Sequence, residues 1–176
     1  MKIYLIRHGE KAERTIEKED PSLTAEGMRQ IMLLARRLKL ENVRADKIYS
    51  SSHIRSVETA QILSKKLIIP VIKDDRLVEL ERELFYGPDI NVIIEEVIAV
   101  KNFVDELVSK NKDVILAFHG GINRLIIGHL LGIDFRQMRH FLMDFASLSL
   151  MQYIDVRGKM AWRVVFLNDT THLRVP

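Results

Sequence analysis

Ile3-Tyr4-Leu5-Ile6-Arg7-His8-Gly9-Glu10 is the stretch from which the fold can be read. Four consecutive apolar residues without helical spacing describe a strand covered on both faces, and the abrupt turn to Arg-His-Gly-Glu marks its end. The pattern returns twice. Lys47-Ile48-Tyr49-Ser50 runs into Ser51-Ser52-His53-Ile54-Arg55, and Val114-Ile115-Leu116-Ala117-Phe118 runs into His119-Gly120-Gly121. A shorter strand is expected at Val71-Ile72, with Pro70 at its start where a missing N–H is tolerated.

Helical spacing fills the intervals. Thr24 offers an N-cap to a helix whose apolar positions are Met28, Ile31, Met32, Ala35 and Leu38. A second helix passes through Val57, Ala60, Leu63 and Leu67. Asn91 can cap a third, carrying Ile93, Val97, Val100, Val104, Leu107 and Val108, and a fourth covers Ile122–Leu131. The charged segment Lys11–Pro21 reads as a surface loop, and Met28, Met32, Met138 and Met143 read as core fillers. Leu148–Ile154 and Trp162–Leu167 flank the turn signal Arg157-Gly158 and form a hairpin. Strands alternating with helices predict a single three-layer α/β/α domain over residues 1–176. Its sheet is mostly parallel, with an antiparallel C-terminal edge hairpin.

Composition narrows the function classes. The chain has 176 residues, 47% hydrophobic and 29% charged, which is ordinary for a globular domain and excludes disorder. Its longest apolar runs, such as Leu67–Ile72, are too short to span a bilayer, and Ile3–Ile6 is too short for a secretory core. With no cysteine there are no disulfides, thiolate metal sites or cysteine nucleophiles. The net charge of +3 is scattered, so no nucleic-acid patch is expected. A cytoplasmic protein with neither membrane nor nucleic-acid partner is the expectation.

In a mostly parallel sheet, ligands sit beyond the carboxyl ends of the strands. There the sequence brings Arg7, His8, Arg55 and His119 to one edge. Guanidinium forks pair bidentately with phosphoryl oxygens, and imidazole can donate to them or attack phosphorus. Gly9 and Gly120-Gly121 supply tight turns that let backbone approach a ligand. The alternative of zinc on His8 and His119 lacks a third ligand at suitable spacing.

These segments resemble the histidine phosphatase superfamily, also called the phosphoglycerate mutase-like family. Arg7-His8-Gly9-Glu10 resembles its signature, and Asp20-Pro21-Ser22-Leu23-Thr24-Ala25-Glu26-Gly27 is similar to its first helix start. The run from Ser50 to Ala60 resembles the second signature. Phe118-His119-Gly120-Gly121-Ile122-Asn123-Arg124 resembles the segment with the second histidine, and Ala146-Ser147-Leu148-Ser149 matches a weaker pattern before the last strands.

The resemblance implies a metal-independent phosphatase that hydrolyses phosphomonoesters through a phosphohistidine on His8 and needs no cofactor. Arg7 and Arg55 would clamp phosphate with Arg14 and Gly120 beside them, and His119 would stabilise the transferring group. Leu77-Val78-Glu79-Leu80 resembles the segment supplying the acid, which makes Glu79 the candidate, with Glu81 and Glu83 as alternatives in the same charged run. Lys11 stands where many members have Thr or Ser, Arg14 where many have a phosphate-contacting Asn, and Phe85-Tyr86-Gly87-Pro88 where many have Trp-Glu-Gly. The implied substrate is a small phosphorylated metabolite or a phosphoprotein. The alternative functions are a phosphohistidine phosphatase of signalling proteins, then a phosphoglycerate mutase, then a non-catalytic phosphate-binding module. Oligomeric state is open, a homodimer being one option.

Overall fold

A computed structural model describes residues 1–15, 19–79, 94–134 and 137–174. Six strands form one sheet: β1 Lys2–Arg7, β2 Lys47–Ser50, β3 Val71–Lys73, β4 Val114–Phe118, β5 Leu148–Val156 and β6 Lys159–Asp169, in the order β3-β2-β4-β1-β5-β6. The pairs β2–β3, β2–β4 and β1–β4 are parallel, while β5 runs antiparallel to β1 and to β6. The helices are α1 Ala25–Leu40, α2 Ile54–Leu67, α3 Ile94–Lys110 and α4 Gly120–Leu131. This is the expected three-layer arrangement with its C-terminal antiparallel edge. Among the described residues no helix is long and apolar enough to cross a membrane.

The unbroken apolar strands are explained by what lies on each face. Ile3 and Leu5 of β1 join Val114, Leu116 and Phe118 of β4 in a core with Phe103 and Val104 of α3 and Ile122 and Ile126 of α4. Tyr4, Ile6, Ile115 and Ala117 point the other way, into Ile31, Leu34 and Leu38 of α1 and Ala60 and Leu63 of α2. The two-residue period of a strand thus sends alternate side chains into two cores, and neither face tolerates a polar residue.

Local signals are realised in detail. Thr24 Oγ1 accepts from the Gly27 amide and caps α1. The β5–β6 turn places Arg157 at φ 55° and Gly158 at φ 81°, the conformation that a two-residue hairpin with right-handed strand twist requires. Two expectations are corrected. Met28 and Met32 are 40% and 55% exposed, because α1 turns Ile31, Leu34, Ala35 and Leu38 inward and these two methionines fall outside that stripe. Met138 and Met143 are buried as expected. The segment 11–21 is more than a surface loop: Lys11 bridges Leu23, and Asp20 reaches back to α2. The expected cap Asn91, its neighbour Ile93, the alternative acids Glu81 and Glu83 and the segment 85–88 lie outside the described residues.

Candidate active site

β1 and β4 are neighbours with Arg7 paired to Phe118, so the residues that follow them, His8 and His119, emerge side by side. The backbone of His8 is held from both sides: its amide donates to Phe118 O at 2.7 Å and its carbonyl accepts from the Ala146 amide at 3.0 Å. Gly9 is needed for a close approach, though to protein rather than to ligand. A Cβ there would meet Gly27 O at 2.4 Å, because the turn after β1 crosses the first turn of α1. At Gly120 a Cβ would lie 3.4 Å from the Arg7 side chain, an ordinary contact, so the arginine packs against this turn without requiring glycine there.

His8 is buried, and Nδ1 lies 2.8 Å from Gly9 O. A carbonyl can only accept, so Nδ1 carries the proton and Nε2 presents its lone pair. Arg55 Nε donates to that Nε2 at 3.3 Å. Burial, opposed by the Gly9 hydrogen bond and reinforced by the charges of Arg55, Arg7 and Lys11, pushes the His8 pKa down to about 3. The ring is therefore neutral throughout the physiological range, the form in which an imidazole nitrogen can act as a nucleophile.

Both clamping arginines are fastened elsewhere. Arg55 Nη1 pairs with Asp20 Oδ1 at 3.0 Å, and Asp20 Oδ2 accepts from the Ile54 amide at 2.8 Å, which ties the segment before α1 to the start of α2. Arg7 Nη1 donates to Met143 O, its guanidinium carbon lies 4.1 Å above the Phe145 ring, and among the described residues its buried Nε has no partner. Desolvation lowers the pKa of each arginine, as expected for cations held in a cleft built for an anion.

His119 lies edge-on to His8, ring centroids 5.4 Å apart. Glu79 faces both: Oε1 accepts from the Gly121 amide at 3.2 Å, and Oε2 is 3.6 Å from His119 Nδ1. Desolvation raises the Glu79 pKa to about 7, against the lowering influence of Arg55, Arg7, the Gly121 hydrogen bond and Arg124. A carboxyl that holds its proton near neutrality suits general acid catalysis.

Of the residues singled out in the sequence, Arg7, His8, Arg55, Glu79, His119 and Gly120 converge. Arg14 is exposed, and it reaches the cleft through its charge, which bears on Arg55 and His53. Sequence reasoning missed Asp20 as the tether of Arg55, Phe145 as the aromatic floor under Arg7, Ser51 and Ser56 behind His119, and His53, whose ring centroid is 5.0 Å from that of His119. Ser51, Ser56 and His53 stood inside the second signature, so their place after a buried strand was the available signal. Nothing in the chain marks Phe145 or Asp20 as neighbours of an arginine far away in sequence. The third metal-ligating group that spacing did not reveal is Glu79: ligand atoms of His8, Glu79 and His119 lie within 4.8 Å of one another. Arg7 and Arg55 stand beside that trio, so its field favours an anion over a cation.

Comparison with known proteins gives the family. The profile of the histidine phosphatase superfamily (branch 1) matches residues 3–99 and 97–170. Phosphoserine phosphatase 1 of Hydrogenobacter thermophilus is 27% identical over 205 aligned positions, covering 98% of this chain and 94% of that protein. A probable phosphoglycerate mutase of Escherichia fergusonii is 34% identical over 212 positions, covering 100% of this chain and 96% of its own. Among solved structures, the phosphoserine phosphatase of Entamoeba histolytica in complex with 3-phosphoglyceric acid superposes with a TM-score of 0.76 at 20% identity, covering 98% of each chain. A mycobacterial glucosyl-3-phosphoglycerate phosphatase with inorganic phosphate gives 0.77 at 19%, covering 97% of this chain and 98% of that one. These last two likenesses are of fold.

Proposed function

The chain belongs to the histidine phosphatase superfamily and is a phosphatase; from that premise we propose that it hydrolyses monoesters of small phosphorylated alkyl metabolites, with His8 as nucleophile and Glu79 as acid. Residues 1–176 form one domain in this reading. Substrate phosphate sits between Arg7 and Arg55, and Nε2 of His8 attacks phosphorus while the bond to the leaving oxygen breaks. Glu79 gives its proton to that oxygen, and the alcohol departs. Arg7, Arg55 and His119 stabilise charge on the three phosphoryl oxygens in flight, which is the main protein contribution to phosphoryl transfer. The Glu79 carboxylate then takes a proton from water as its oxygen attacks phosphorus. The N–P bond breaks, and inorganic phosphate and neutral His8 are regenerated.

The observation that carries this reading is the tautomer of His8, whose Nδ1 proton is committed to Gly9 O so that Nε2 stays bare and faces Arg55. The raised pKa of Glu79 favours an ester substrate over a phosphohistidine substrate, since imidazole leaves without a protein acid. Lys11 and Arg14, both near the cleft mouth, add positive charge for a metabolite with a second acidic group. Rapid quenching with labelled substrate, kept away from acid, tests the proposal. Label that is acid-labile, alkali-stable and lost in His8→Ala is expected. Label on serine, or none at single turnover, overturns it. Transfer of the label to a second hydroxyl of the metabolite, instead of to water, would identify a mutase.

A further inference from the structure

His119 is fully buried, and its two ring nitrogens have unlike surroundings. Nε2 lies 2.8 Å from Ser51 Oγ and 3.2 Å from Ser56 Oγ. Among the described residues Nδ1 has no hydrogen-bond partner, and Glu79 Oε2 lies 3.6 Å from it. Desolvation, together with the charges of His8, Arg55, His53 and Arg7, holds the ring well below the ordinary histidine pKa, so it is neutral and carries one proton.

We infer that Ser51, backed by Ser56, donates to Nε2 of His119 and thereby keeps its proton on Nδ1, aimed at the transferring phosphoryl oxygens, which makes the two serines positioning residues for the reaction. This rests on the function proposed above. Hydrogen-bond accounting supports it. Ser51 and Ser56 are both fully buried, and among the described residues neither hydroxyl has any partner besides Nε2. If Nε2 carried the proton, both buried hydroxyl protons would lack an acceptor, an arrangement that folded proteins avoid. With the lone pair on Nε2, at least one is satisfied, and the 2.8 Å contact marks Ser51 as the principal donor. The front of the ring gives the same answer. A bare Nδ1 would set its lone pair against the phosphoryl oxygens of a bound substrate, whereas Nδ1–H can donate to them.

The two histidines of the site then hold the same tautomer for opposite purposes. A carbonyl behind His8 takes its proton and leaves a bare nitrogen facing phosphorus. Hydroxyls behind His119 take its lone pair and leave an N–H facing the oxygens. The partner behind each ring decides which one attacks and which one stabilises.

Side-chain nitrogen NMR of the histidine-labelled full chain tests this directly. The expected spectrum has a protonated Nδ1 and a bare Nε2 on His119. In Ser51→Ala/Ser56→Ala the protonated Nε2 form should become populated. Turnover of an alkyl phosphate should then fall by roughly 10-fold to 10²-fold, approaching the cost of losing one donor to the reacting oxygens, with KM nearly unchanged. Ser51→Thr keeps a hydroxyl and should retain both tautomer and turnover. A protonated Nε2 in the wild type overturns the inference, even if the double variant does not fold. So does a double variant that keeps both the tautomer and its kcat. If His8 were never phosphorylated, the proposed function would fail while the tautomer measurement still stood.

Discussion

Glu79 and Asp169 both sit among arginines, yet they titrate in opposite directions. Glu79 feels Arg55, Arg7 and Arg124, but it accepts a hydrogen bond from the Gly121 amide rather than from a guanidinium, and desolvation raises its pKa to about 7. Burial would raise Asp169 as well, but there hydrogen bonds from Arg37 at 2.8 Å and the Thr171 amide at 2.8 Å prevail and bring it down to about 2. Cations near a carboxylate therefore do not fix its protonation. A direct charge-assisted hydrogen bond outweighs desolvation, whereas nearby arginines committed to other partners do not. Arg7 is turned to Met143 O and Phe145, and Arg55 to Asp20 and His8, which leaves Glu79 able to keep a proton. In the proposed reading Glu79 is the carboxyl for chemistry, while Asp169 holds the C-terminal turn against α1 through Arg37.

The contrast can be tested in order of expected effect. Replacing the nucleophile, His8→Ala, should lower turnover by roughly 10⁴-fold or more while Asp169→Asn leaves it intact. Stopped-flow and steady-state assays on the two variants measure this, and a His8 variant with wild-type turnover would end the active-site assignment. Glu79→Gln keeps the shape and removes the acid. Turnover of alkyl phosphates should fall by about 10²–10⁴-fold, and of p-nitrophenyl phosphate far less, because a phenolate leaves without the proton. Equal losses across the leaving-group series would make Glu79 a binding group.

The pH profiles sharpen the comparison. Because Glu79 must be protonated to act, kcat/KM for alkyl phosphates should decline above about pH 7, about tenfold per unit, and this limb should vanish in Glu79→Gln. The two carboxyls also link to stability with opposite signs. A raised folded-state pKa makes the Glu79 contribution fullest below the ordinary glutamate range, and it is lost as pH rises through about 7. A lowered one makes the Asp169 contribution fullest above the ordinary aspartate range, and it is lost as pH falls through about 2. Asp169→Asn should accordingly cost about 1–3 kcal/mol of stability at neutral pH, read by urea unfolding, with the difference narrowing in strong acid. The smallest expected effect is that of a chelator. With Arg7 and Arg55 supplying the charge and His119 a hydrogen-bond donor, EDTA should leave turnover unchanged, and a loss restored by a divalent ion would give the His8–Glu79–His119 trio a role as ligands.

Much of this was legible in the chain because the signals are local. An apolar run that stops at Arg-His-Gly is readable without knowing its neighbours, and so are the Thr24 cap, the Arg157-Gly158 turn and the buried strand before His119. The limits of the buried face of α1 were not. The spacing predicts Ile31, Ala35 and Leu38 in the buried stripe and they are buried, but Met28 and Met32 fit the same spacing, and only the docking of α1 beside α2 left them outside and brought Leu34 in. The segment 11–21 looked like solvated loop because its charge is visible in sequence, while the return of Asp20 to Arg55 depends on a contact between residues 35 apart.

By itself the amino-acid sequence determined the strand and helix alternation, the edge of the sheet where chemistry gathers, and the four cationic and imidazole groups placed there. Periodicity and turn chemistry act over a few residues, so they survive being read one segment at a time. Only the tertiary structure decided protonation and orientation: that Nε2 of His8 is bare, that Glu79 rather than a surface acid is desolvated, that Ser51 and Ser56 stand behind His119, and that Phe145 lies under Arg7. Those properties depend on burial and on partners distant along the chain, and a pKa or a tautomer has no value until the fold has chosen both.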